Sequence, residues 1–267
     1  MRLLFIASGR SAPSTRFRIE QYLTPLSQAG HQCKVAYSFP EKYDYFPWLG
    51  WRISQRLKRT VRHWHAWRAR LRKYDAIFIE REVFDDDSWD LEAKFRRLTP
   101  RLVLDVDDGV FLRHPEKFDK IASMCDAAVA GNRDLQQYLQ ERCECVALIP
   151  TCIHMAAYPQ RRPAASDTTP VIGWIGTAHN VIFLSVAAAA LRRVAKQHDF
   201  RLLIVATTDE RLAEVDLTGI DVEFRPWNAN REIADLHEMD IGLMPLPEDQ
   251  QWMKYKCGLK LLQYLAV

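Results

Sequence analysis

The stretch that decides the fold is the last one in the chain, Asp240-Ile-Gly-Leu-Met-Pro-Leu-Pro-Glu-Asp-Gln-Gln-Trp-Met-Lys-Tyr-Lys-Cys-Gly-Leu-Lys-Leu-Leu-Gln-Tyr-Leu-Ala-Val267. Its apolar start, residues 241–244, predicts a short buried strand, which two prolines end. After a polar loop, Leu259, Leu262 and Ala266 repeat at helical spacing and predict a helix. A strand that passes through a loop into a helix is the repeating unit of α/β proteins.

Two lysines accompany this helix. Lys256, Lys260 and Gln263 fall on one stripe of it, at spacings of four and three residues. Two amines near the N-terminus of a helix, just past the carboxyl end of a strand, favour a phosphate site, because the helix dipole adds to their charge. The alternative is that both lysines are solvated, as most surface lysines are.

The same order of elements recurs through the chain. The run Leu3–Ala7 predicts a strand, Phe17–Ala29 predicts a helix ended by Gly30, and Lys34–Tyr37 predicts the next strand. The strands are apolar along their length, which is typical of strands covered on both faces, so we predict parallel sheets. Further strands are predicted at 75–82, 102–106, 127–130, 145–149, 171–176, 201–206, 222–227 and 240–244, and further helices at 134–142, 181–197 and 231–237.

A polar, proline-containing segment divides this pattern into two halves. Residues 155–169 predict a linker between domains. We therefore predict a first α/β domain at 1–154 and a second at 170–267.

The charge is distributed unevenly. The chain has 267 residues, 48% hydrophobic and 27% charged, and a net charge of +3, which is an ordinary globular composition. The insertion 48–74 holds nine basic residues and no acidic one, so the remainder carries 3 − 9 = −6. Trp51, Leu57, Val61 and Trp64 keep rough helical spacing within it. A basic helix with tryptophans suits an anionic membrane surface or a nucleic acid, and the third possibility is a helix packed on its own domain.

The N-terminus and the cysteines bear on location. The first apolar run breaks at Gly9-Arg10, and no run reaches 18 apolar residues, so we expect neither a secretion signal nor a membrane span. None of the six cysteines stands in a C-x-x-C pair, and Cys143 and Cys145 would point to opposite sides of a strand. We expect free thiols, no metal site and a cytoplasmic protein.

Polar residues follow the first strand. Ser14, Thr15, Arg16 and Arg18 stand at the start of the first helix, in a loop that lacks the G-x-G-x-x-G pattern of dinucleotide-binding dehydrogenases. The set could hold an anion from a substrate. A capping serine with solvated arginines is the alternative.

Charged clusters end two other strands of the first half. They are Glu80-Arg81-Glu82 and the carboxylates of Asp105, Asp107 and Asp108. In an open parallel sheet the ligand crevice lies outside the carboxyl ends of the strands. The three aspartates could act as a base or hold a metal, and helix capping or turn formation accounts for them equally well.

A glycine turn opens the second half. The strand 171–176 ends at Gly176, where the backbone can approach a ligand closely. Thr177 and Asn180 follow, and either could cap the next helix or bind a phosphate.

Taken in order, these segments resemble the family-4 glycosyltransferases of the GT-B type, which join two Rossmann-like domains across a cleft. The resemblance extends over nearly the whole chain. The matching segments are Ser14-Thr-Arg-Phe-Arg18, Gly30-His31, Asp75-Ala-Ile-Phe-Ile-Glu-Arg-Glu82, Asp105-Val-Asp-Asp108, Ala130-Gly-Asn132, Ile149-Pro-Thr-Cys152, Gly173-Trp-Ile-Gly-Thr177, Asp240-Ile-Gly-Leu-Met-Pro-Leu246 and Lys256-x-x-x-Lys260-x-x-Gln263-Tyr-Leu-Ala266.

The resemblance implies transfer of a sugar from a UDP- or GDP-linked donor, usually with retention at the anomeric carbon and without a tightly bound metal or a cofactor. It implies that the second domain holds the donor and the first holds the acceptor. The implied donor-binding residues are Gly176, Thr177, Asn180, Arg225, Trp227, Lys256, Lys260 and Gln263. On the acceptor side stand Ser14, Thr15, Arg16 and Arg18, with Asp107 and Asp108 as catalytic candidates. Fixed cations such as the two lysines would stabilise the charge that builds on the departing diphosphate.

Two departures from the family pattern stand out. The family often carries two glutamates where this chain has Tyr255 and Gln263, and the second of them grips the ribose. The sequence also stops inside a predicted helix, at Ala266-Val267, so we expect a truncated second domain with an incomplete sheet.

The expected partners follow from these features. We expect a glycan or lipid-linked acceptor of the cell envelope or of an exported polysaccharide, and a peripheral position at the inner face of the membrane through 48–74. The negative remainder of the chain argues against nucleic acid, which we expect to play no part. The alternatives are a non-catalytic binding protein and a nucleotide-sugar epimerase of the same fold.

Overall fold

The computed structural model describes residues 1–160 and 169–267. The chain forms two compact units, one of Met1–Thr151 with Lys254–Cys257, the other of Cys152–Met253 with Gly258–Val267. Each contains a parallel sheet with helices, so the predicted α/β class is confirmed. The predicted linker, 155–169, falls largely on residues 161–168, which lie outside the described residues.

The sheet of the first unit has six parallel strands in the order β2-β1-β3-β4-β5-β6. Its interior strands are apolar and buried because helices lie over them. The strands are β1 Arg2–Ala7, β2 Gln32–Tyr37, β3 Ala76–Glu80, β4 Leu102–Val106, β5 Ala127–Ala130 and β6 Val146–Leu148. The strand order reverses between β1 and β3, and such a switch point opens a crevice at the carboxyl ends of the strands.

Among the described residues, six α-helices belong to this unit. They are α1 Pro13–Thr15, α2 Gln21–Gln28, α3 Gly50–Arg72, α4 Asp90–Arg96, α5 Pro115–Met124 and α6 Arg133–Gln140. The first predicted helix therefore begins earlier than 17, at Pro13, and passes through a wider π turn at Arg16–Glu20 before α2. Proline suits the first helical position, because it has no N–H to satisfy there.

The second unit has a four-stranded parallel sheet in the order β10-β7-β8-β9. Its strands are β7 Val171–Ile175, β8 Arg201–Ala206, β9 Asp221–Pro226 and β10 Ile241–Gly242, and its α-helices are α7 Ser185–Ala195, α8 Glu232–Glu238 and α9 Leu259–Ala266. The order reverses between β7 and β10, which makes this pair the switch point of the second sheet. Only two residues of the predicted strand 240–244 pair with β7.

Helix α3 packs on its own unit through an unusual stripe. The residues it buries are Ser54, Lys58, Arg62, Ala66 and Ala69, at spacings of four and three. The buried cations donate to backbone carbonyls: Arg62 donates to the carbonyls of Ala36 at 2.8 Å and Ala7 at 2.6 Å. Burial lowers the pKa of Lys58 to about 8 and that of Arg62 to about 10.

Three tryptophans of this helix are exposed, Trp64 and Trp67 on its outer side and Trp51 in its first turn. Trp51, Trp64 and Trp67 are 62%, 47% and 55% exposed. Small and cationic side chains thus face the sheet and aromatic ones face solvent, the reverse of an ordinary amphipathic helix.

One helical segment of the second unit, Ala178–Ala195, is long and apolar enough to cross a membrane by length and composition alone. We expected that no segment would be long and apolar enough to span a membrane, and this segment differs from that expectation. Val181, Leu184, Ala188 and Leu191 of this segment belong to the core of the unit, and a core helix of a soluble protein passes the same test.

Candidate functional site

The loop after β1 is tied to β3 by one carboxylate. Glu80, at the end of β3, is buried and accepts hydrogen bonds from the Ser8 backbone N–H at 2.9 Å, from the Thr15 hydroxyl at 2.6 Å and from the Ser14 hydroxyl. Ser14 and Thr15 are themselves buried. Both were predicted to contact an acceptor, but in the structure their hydroxyls position the loop, and we correct their role accordingly.

Arg18 likewise binds groups of the first unit. Its guanidinium binds both carboxylate oxygens of Asp105, at 3.0 and 2.5 Å, and donates to the carbonyl of Ile149 at 2.7 Å. Burial alone would lower the pKa of Arg18, but the pairing with Asp105 outweighs it and raises the pKa. Arg18 therefore joins α1 and the turn after it to β4 and β6, and the predicted acceptor contact is corrected for it too. Arg16, over the ring of Phe17 at 5.2 Å, is half-buried and remains at the rim.

Asp107 forms a two-point ion pair with Arg81. The Nε and Nη2 atoms of Arg81 lie 2.5 and 2.9 Å from the two carboxylate oxygens. Burial would raise the pKa of Asp107, but the charge and hydrogen bonds of Arg81 outweigh burial and lower it. Asp107 is therefore an ionised carboxylate at neutral pH, poorly suited to accept a proton. Arg81 has a positive φ of 61°, a strained backbone conformation of the kind that collects at functional sites.

Asp108 is more accessible. One of its oxygens accepts the Gly109 backbone N–H at 2.9 Å, and the other lies 4.0 Å from Arg81 Nη2 and 4.0 Å from Lys256 Nζ. Asp108 thus stands between two cations at the carboxyl edge of the first sheet. Of the two catalytic candidates it is the more exposed, with 19% of its side chain accessible against 11% for Asp107.

Lys256 does not lie on the last helix, contrary to the prediction. The helix α9 begins at Leu259, after Gly258, and Lys256 belongs to the segment 254–257 that packs into the first unit. The carbonyl of Lys256 accepts from the Asn132 side-chain amide at 3.4 Å, while Asn132 also caps α6 through the Leu135 N–H. A Cβ atom at Gly131 would lie 2.6 Å from the sulfur of Cys257, so the glycine makes room for this segment.

Lys260 does lie at the predicted place in the second unit. Gly176 follows β7, and its N–H donates to the Val205 carbonyl at 3.0 Å. A Cβ atom at Gly176 would lie 2.7 Å from Trp174 and 2.8 Å from the Cε atom of Lys260. The ammonium of Lys260 stands 5.1 Å from the centre of the Trp174 ring, within the range of a cation–π contact. The structure thus brings a glycine turn and a lysine together at the switch point of the second sheet.

Thr177 and Asn180 begin the next turn. The N–H of Asn180 donates to the Thr177 carbonyl at 2.9 Å, and the side chain of Thr177 makes no capping hydrogen bond to the described part of the chain. Thr177 is exposed and Asn180 half-buried.

Arg225 was predicted to meet a nucleotide base, and the structure corrects this. Its guanidinium binds Glu223, Asp235 and Glu238, with the last two at 2.8 Å from Nη1. The hydrogen bond to Glu238, with those to the other carboxylates, raises the pKa of Arg225 further above its usual range. A guanidinium with three carboxylate partners joins β9 to α8 rather than presenting donors to a base.

A buried carboxylate, Glu232, was missed by sequence reasoning. It accepts the indole N–H of Trp227 at 2.8 Å and the side-chain amide of Gln263 at 3.2 Å, and that amide also lies 3.2 Å from the hydroxyl of Tyr158. An acidic residue in the first turn of a helix is ordinary helix chemistry, so its position in α8 gave no warning.

The last feature of the site is its metal-ligating side chains. Across residues 1–160 and 169–267, no three or more His, Cys, Asp or Glu side chains form a group that could hold a metal ion. All six cysteines are free thiols.

No protein-family profile matches the chain, and no curated protein sequence matches it. Several solved structures have a similar fold. An α-glucosyltransferase in complex with UDP-glucose and DNA containing an abasic site is 12% identical, with a TM-score of 0.64 over 99% of this chain and 77% of that chain. The catalytic domain of starch synthase IV from Arabidopsis thaliana, bound to ADP and acarbose, is 9% identical, with a TM-score of 0.59 over 90% of this chain and 77% of that one. UDP-GlcNAc 2-epimerase from Neisseria meningitidis, bound to UDP-GlcNAc, is 11% identical, with a TM-score of 0.59 over 91% and 77%.

These findings correct the expectation that nucleic acid plays no part. That expectation rested on the negative charge outside 48–74. The structures similar to this chain include α-glucosyltransferase complexes that contain DNA. A summed charge does not describe the local potential of a surface, which is what a polyanion meets.

The topology and the comparisons agree on architecture. Both sheets are wholly parallel, each has a switch point, and the similarity covers 90–99% of the chain in the three structures named. At identities of 9–12% the comparisons establish the fold alone. The chain has the GT-B fold.

Proposed function

We propose that the protein is a glycosyltransferase that moves a sugar from a UDP- or GDP-linked donor to an acceptor. The observation that carries the proposal is the meeting of Lys260 with the Gly176 turn at the carboxyl edge of the second sheet. Open parallel sheets bind their ligands at such switch points. The similar structures hold UDP-glucose, ADP or UDP-GlcNAc, which supports a nucleotide-linked donor.

The donor diphosphate would be held by Lys260 and the Gly176 turn. Because Gly176 has no side chain, the stem of Lys260 can pack beside it and carry the ammonium to this turn, and the exposed Thr177 hydroxyl adds a donor for the phosphate. Negative charge grows on the diphosphate as the bond to the sugar breaks. A fixed ammonium at that place stabilises the transition state more than the ground state, which is the condition for catalysis.

The ribose would be held by Gln263 together with Glu232. The resemblance implies a glutamate where this chain has Gln263, and Glu232, 3.2 Å from the Gln263 amide, is the carboxylate that would take its place. An amide and a carboxylate side by side can accept from both ribose hydroxyls. Trp227 fixes the other oxygen of Glu232 from a distance of 2.8 Å.

The acceptor would be held at the carboxyl edge of the first sheet. Asp108 is the side chain we propose to contact the acceptor hydroxyl, with Arg81 and Lys256 setting the charge around it. Asp107, ionised and paired with Arg81, would hold that guanidinium in place. We further propose that transfer retains the configuration at the anomeric carbon. The acceptor we propose is a lipid-linked glycan or a polysaccharide of the cell envelope.

Donor binding is the first test. Titration calorimetry with UDP and GDP should show binding by the wild type and at least about tenfold weaker binding by Lys260→Ala, because one charged contact to phosphate is lost. Gly176→Ala should weaken binding similarly, since the new methyl group would displace Lys260 or Trp174. Equal affinity in all three proteins would contradict the assignment.

Matched controls are available. Lys196→Ala removes an exposed lysine just after α7, and Gly258→Ala adds a methyl group whose nearest contact would be an ordinary 3.6 Å. Both should bind the nucleotides as the wild type does.

Transfer is tested with labelled UDP- and GDP-sugars, with and without candidate acceptors. The acceptors should include lipid-linked saccharides, polysaccharides and duplex DNA, the last because a similar structure contains DNA. A labelled product that forms only with an acceptor supports transfer. Epimerised donor formed without an acceptor would favour the epimerase alternative, and binding without either product would favour a non-catalytic protein.

A further inference from the structure

A large cavity lies in the first unit, between the edge strand β2 and helix α3. Its volume is about 740 Å³, within the range of about 300–1,000 Å³ that small-molecule sites occupy. Along its length it is lined by β2, by the loop that follows β2 and by one side of α3. None of the residues proposed above for donor or acceptor binding lines it.

The middle of this cavity is apolar and aromatic. Phe39 and Phe46 pack edge to face with ring centres 5.2 Å apart, and Val61 and Trp64 come from α3. Phe39 is 56% exposed and Trp64 is 47% exposed. Aromatic rings around an open cavity leave apolar surface in contact with water, and such a patch marks an interaction site.

One end of the cavity is cationic. Lys34 is the third residue of β2, in register with Leu4, and Arg72 is the last residue of α3, close to the amino edge of the sheet. Arg68, one helical turn before Arg72, lies over the ring of Trp64 with 4.5 Å between guanidinium carbon and ring centre. This end is opposite the carboxyl edge that holds Asp108.

The other end is more mixed in charge. Arg10, Glu41 and Asp44 line it, and Glu41 accepts the Ser11 backbone N–H at 2.8 Å. Between the ends, the Nδ1 atom of His65 is buried and has no hydrogen-bond partner among residues 1–160 and 169–267. The cavity therefore offers apolar walls, a polar atom without a hydrogen-bond partner in the described residues, and three cations among its lining residues.

We propose that this cavity binds a single-chain amphiphile with a phosphate headgroup. The chain would lie against Phe39, Phe46 and Trp64, and the phosphate would meet Lys34, Arg68 and Arg72. Guanidinium groups bind phosphate oxygens in pairs, and burial of the chain adds a hydrophobic contribution. The proposal does not depend on sugar transfer, because neither the ligand nor the cavity involves the donor or acceptor residues.

Three probes separate the contributions of headgroup and chain. Calorimetry below the critical micelle concentration would use dodecyl phosphate, inorganic phosphate and dodecyl maltoside. We expect saturable binding of dodecyl phosphate, and at least about tenfold weaker binding of the other two, which lack the chain or the charge. Equal affinity for inorganic phosphate, equal affinity for dodecyl maltoside, or no binding of dodecyl phosphate would each overturn the proposal.

Variants locate the site. The pair Arg68→Gln and Arg72→Gln should weaken dodecyl phosphate binding at least about tenfold, whereas Arg56→Gln with Arg70→Gln removes two exposed arginines of the same helix that do not line the cavity. The control pair should bind as the wild type does. A second variant, Val61→Trp, should block the cavity and abolish binding while the fold, checked by circular dichroism, is kept. Wild-type affinity in the arginine pair, or in a folded Val61→Trp protein, would contradict the assignment.

Discussion

Charged side chains in this protein fall into two groups, those that stabilise the fold and those that can bind a ligand. The groups they contact distinguish the two, and their positions in the sequence do not. Arg18, Arg62 and Arg225 all lie close to strand ends or sheets, and each is bound to partners of its own unit. Lys260 instead approaches a glycine turn and an aromatic ring. A sequence shows the type of a charged residue and the edge of the sheet it lies at. Whether that residue stabilises the fold or can bind a ligand depends on the group it contacts in the folded protein.

His65 shows how strongly such surroundings act on one side chain. Burial, with the charges of Arg62 and Arg68, lowers its pKa from 6.5 to about 4. The folded protein therefore keeps this ring neutral at a pH where the unfolded chain already binds a proton. The contribution to stability is fully present above about pH 6.5 and is lost as the pH falls toward 4.

We expect His65→Gln to flatten the fall of the unfolding free energy between pH 7 and pH 5, about the range where histidine titrates before most carboxylates do. Urea denaturation at a series of pH values measures this slope. His63→Gln, at an exposed position on the same helix, should leave the slope unchanged. The same pH slope in His65→Gln and in the wild type would show that His65 is not held neutral.

At the scale of elements, α3 combines two surfaces with different tasks. Its buried stripe binds backbone carbonyls through Lys58 and Arg62. The helix also exposes Trp51 in its first turn and Trp64 and Trp67 on its outer side, among arginines. Exposed tryptophans and cations are the composition of interfacial helices, where each cation near an anionic surface contributes about 1 kcal/mol. We propose on this basis that α3 holds the protein at the inner face of the membrane.

Replacement of Trp51 and Trp67 by alanine should therefore reduce sedimentation with anionic vesicles several-fold, without loss of stability, because both rings are exposed. Trp89→Ala is the control, since Trp89 is partly exposed but precedes α4. Binding that is equal for neutral and anionic vesicles, or equal for the variant and the wild type, would be evidence against a membrane role.

Some helices and strands could be predicted from the sequence and others could not. Strands such as β1, β3 and β8 were predicted because a short apolar run bounded by polar residues is typical of a buried strand. The stripe of α3 could not be predicted, because buried lysine and arginine depend on carbonyls that only the folded chain supplies. Lys256 was predicted to lie on the last helix, which begins only after Gly258, and Glu232 was missed because an acidic residue in the first turn of a helix is ordinary. Gly176 and Lys260 were assigned separately to the donor site, and their proximity is a finding of the structure.

At the scale of the whole molecule, the chain passes between the two units three times, after Thr151, Met253 and Cys257. The short segment 254–257 completes the first unit. The ring of Tyr255 lies 4.8 Å from that of Phe111, and Lys254 pairs with Asp134 at 3.1 Å.

Tyr255→Ala should therefore weaken the first unit, although the residue is remote from it in sequence. Loss of an edge-to-face aromatic pair and its buried area should cost about 1–2 kcal/mol. Hydrogen exchange of the β4 and β5 amides reports on this unit, and faster exchange is expected there. Tyr45→Ala, the same change at a partly exposed loop position, is the control. Unchanged protection of β4 and β5 in Tyr255→Ala would mean that the segment contributes little.

The path of the chain also bears on how such proteins can be recombined. A chimera that exchanged everything after Thr151 for the matching part of another GT-B protein would also replace Lys254–Cys257, which are part of the unit it meant to keep. The incoming Tyr255 equivalent would have to fit against Phe111, and the incoming residue at 257 against Gly131. The two halves of this sequence are therefore not interchangeable modules. Residues 254–257 lie in the second half of the sequence but must remain compatible with the first unit.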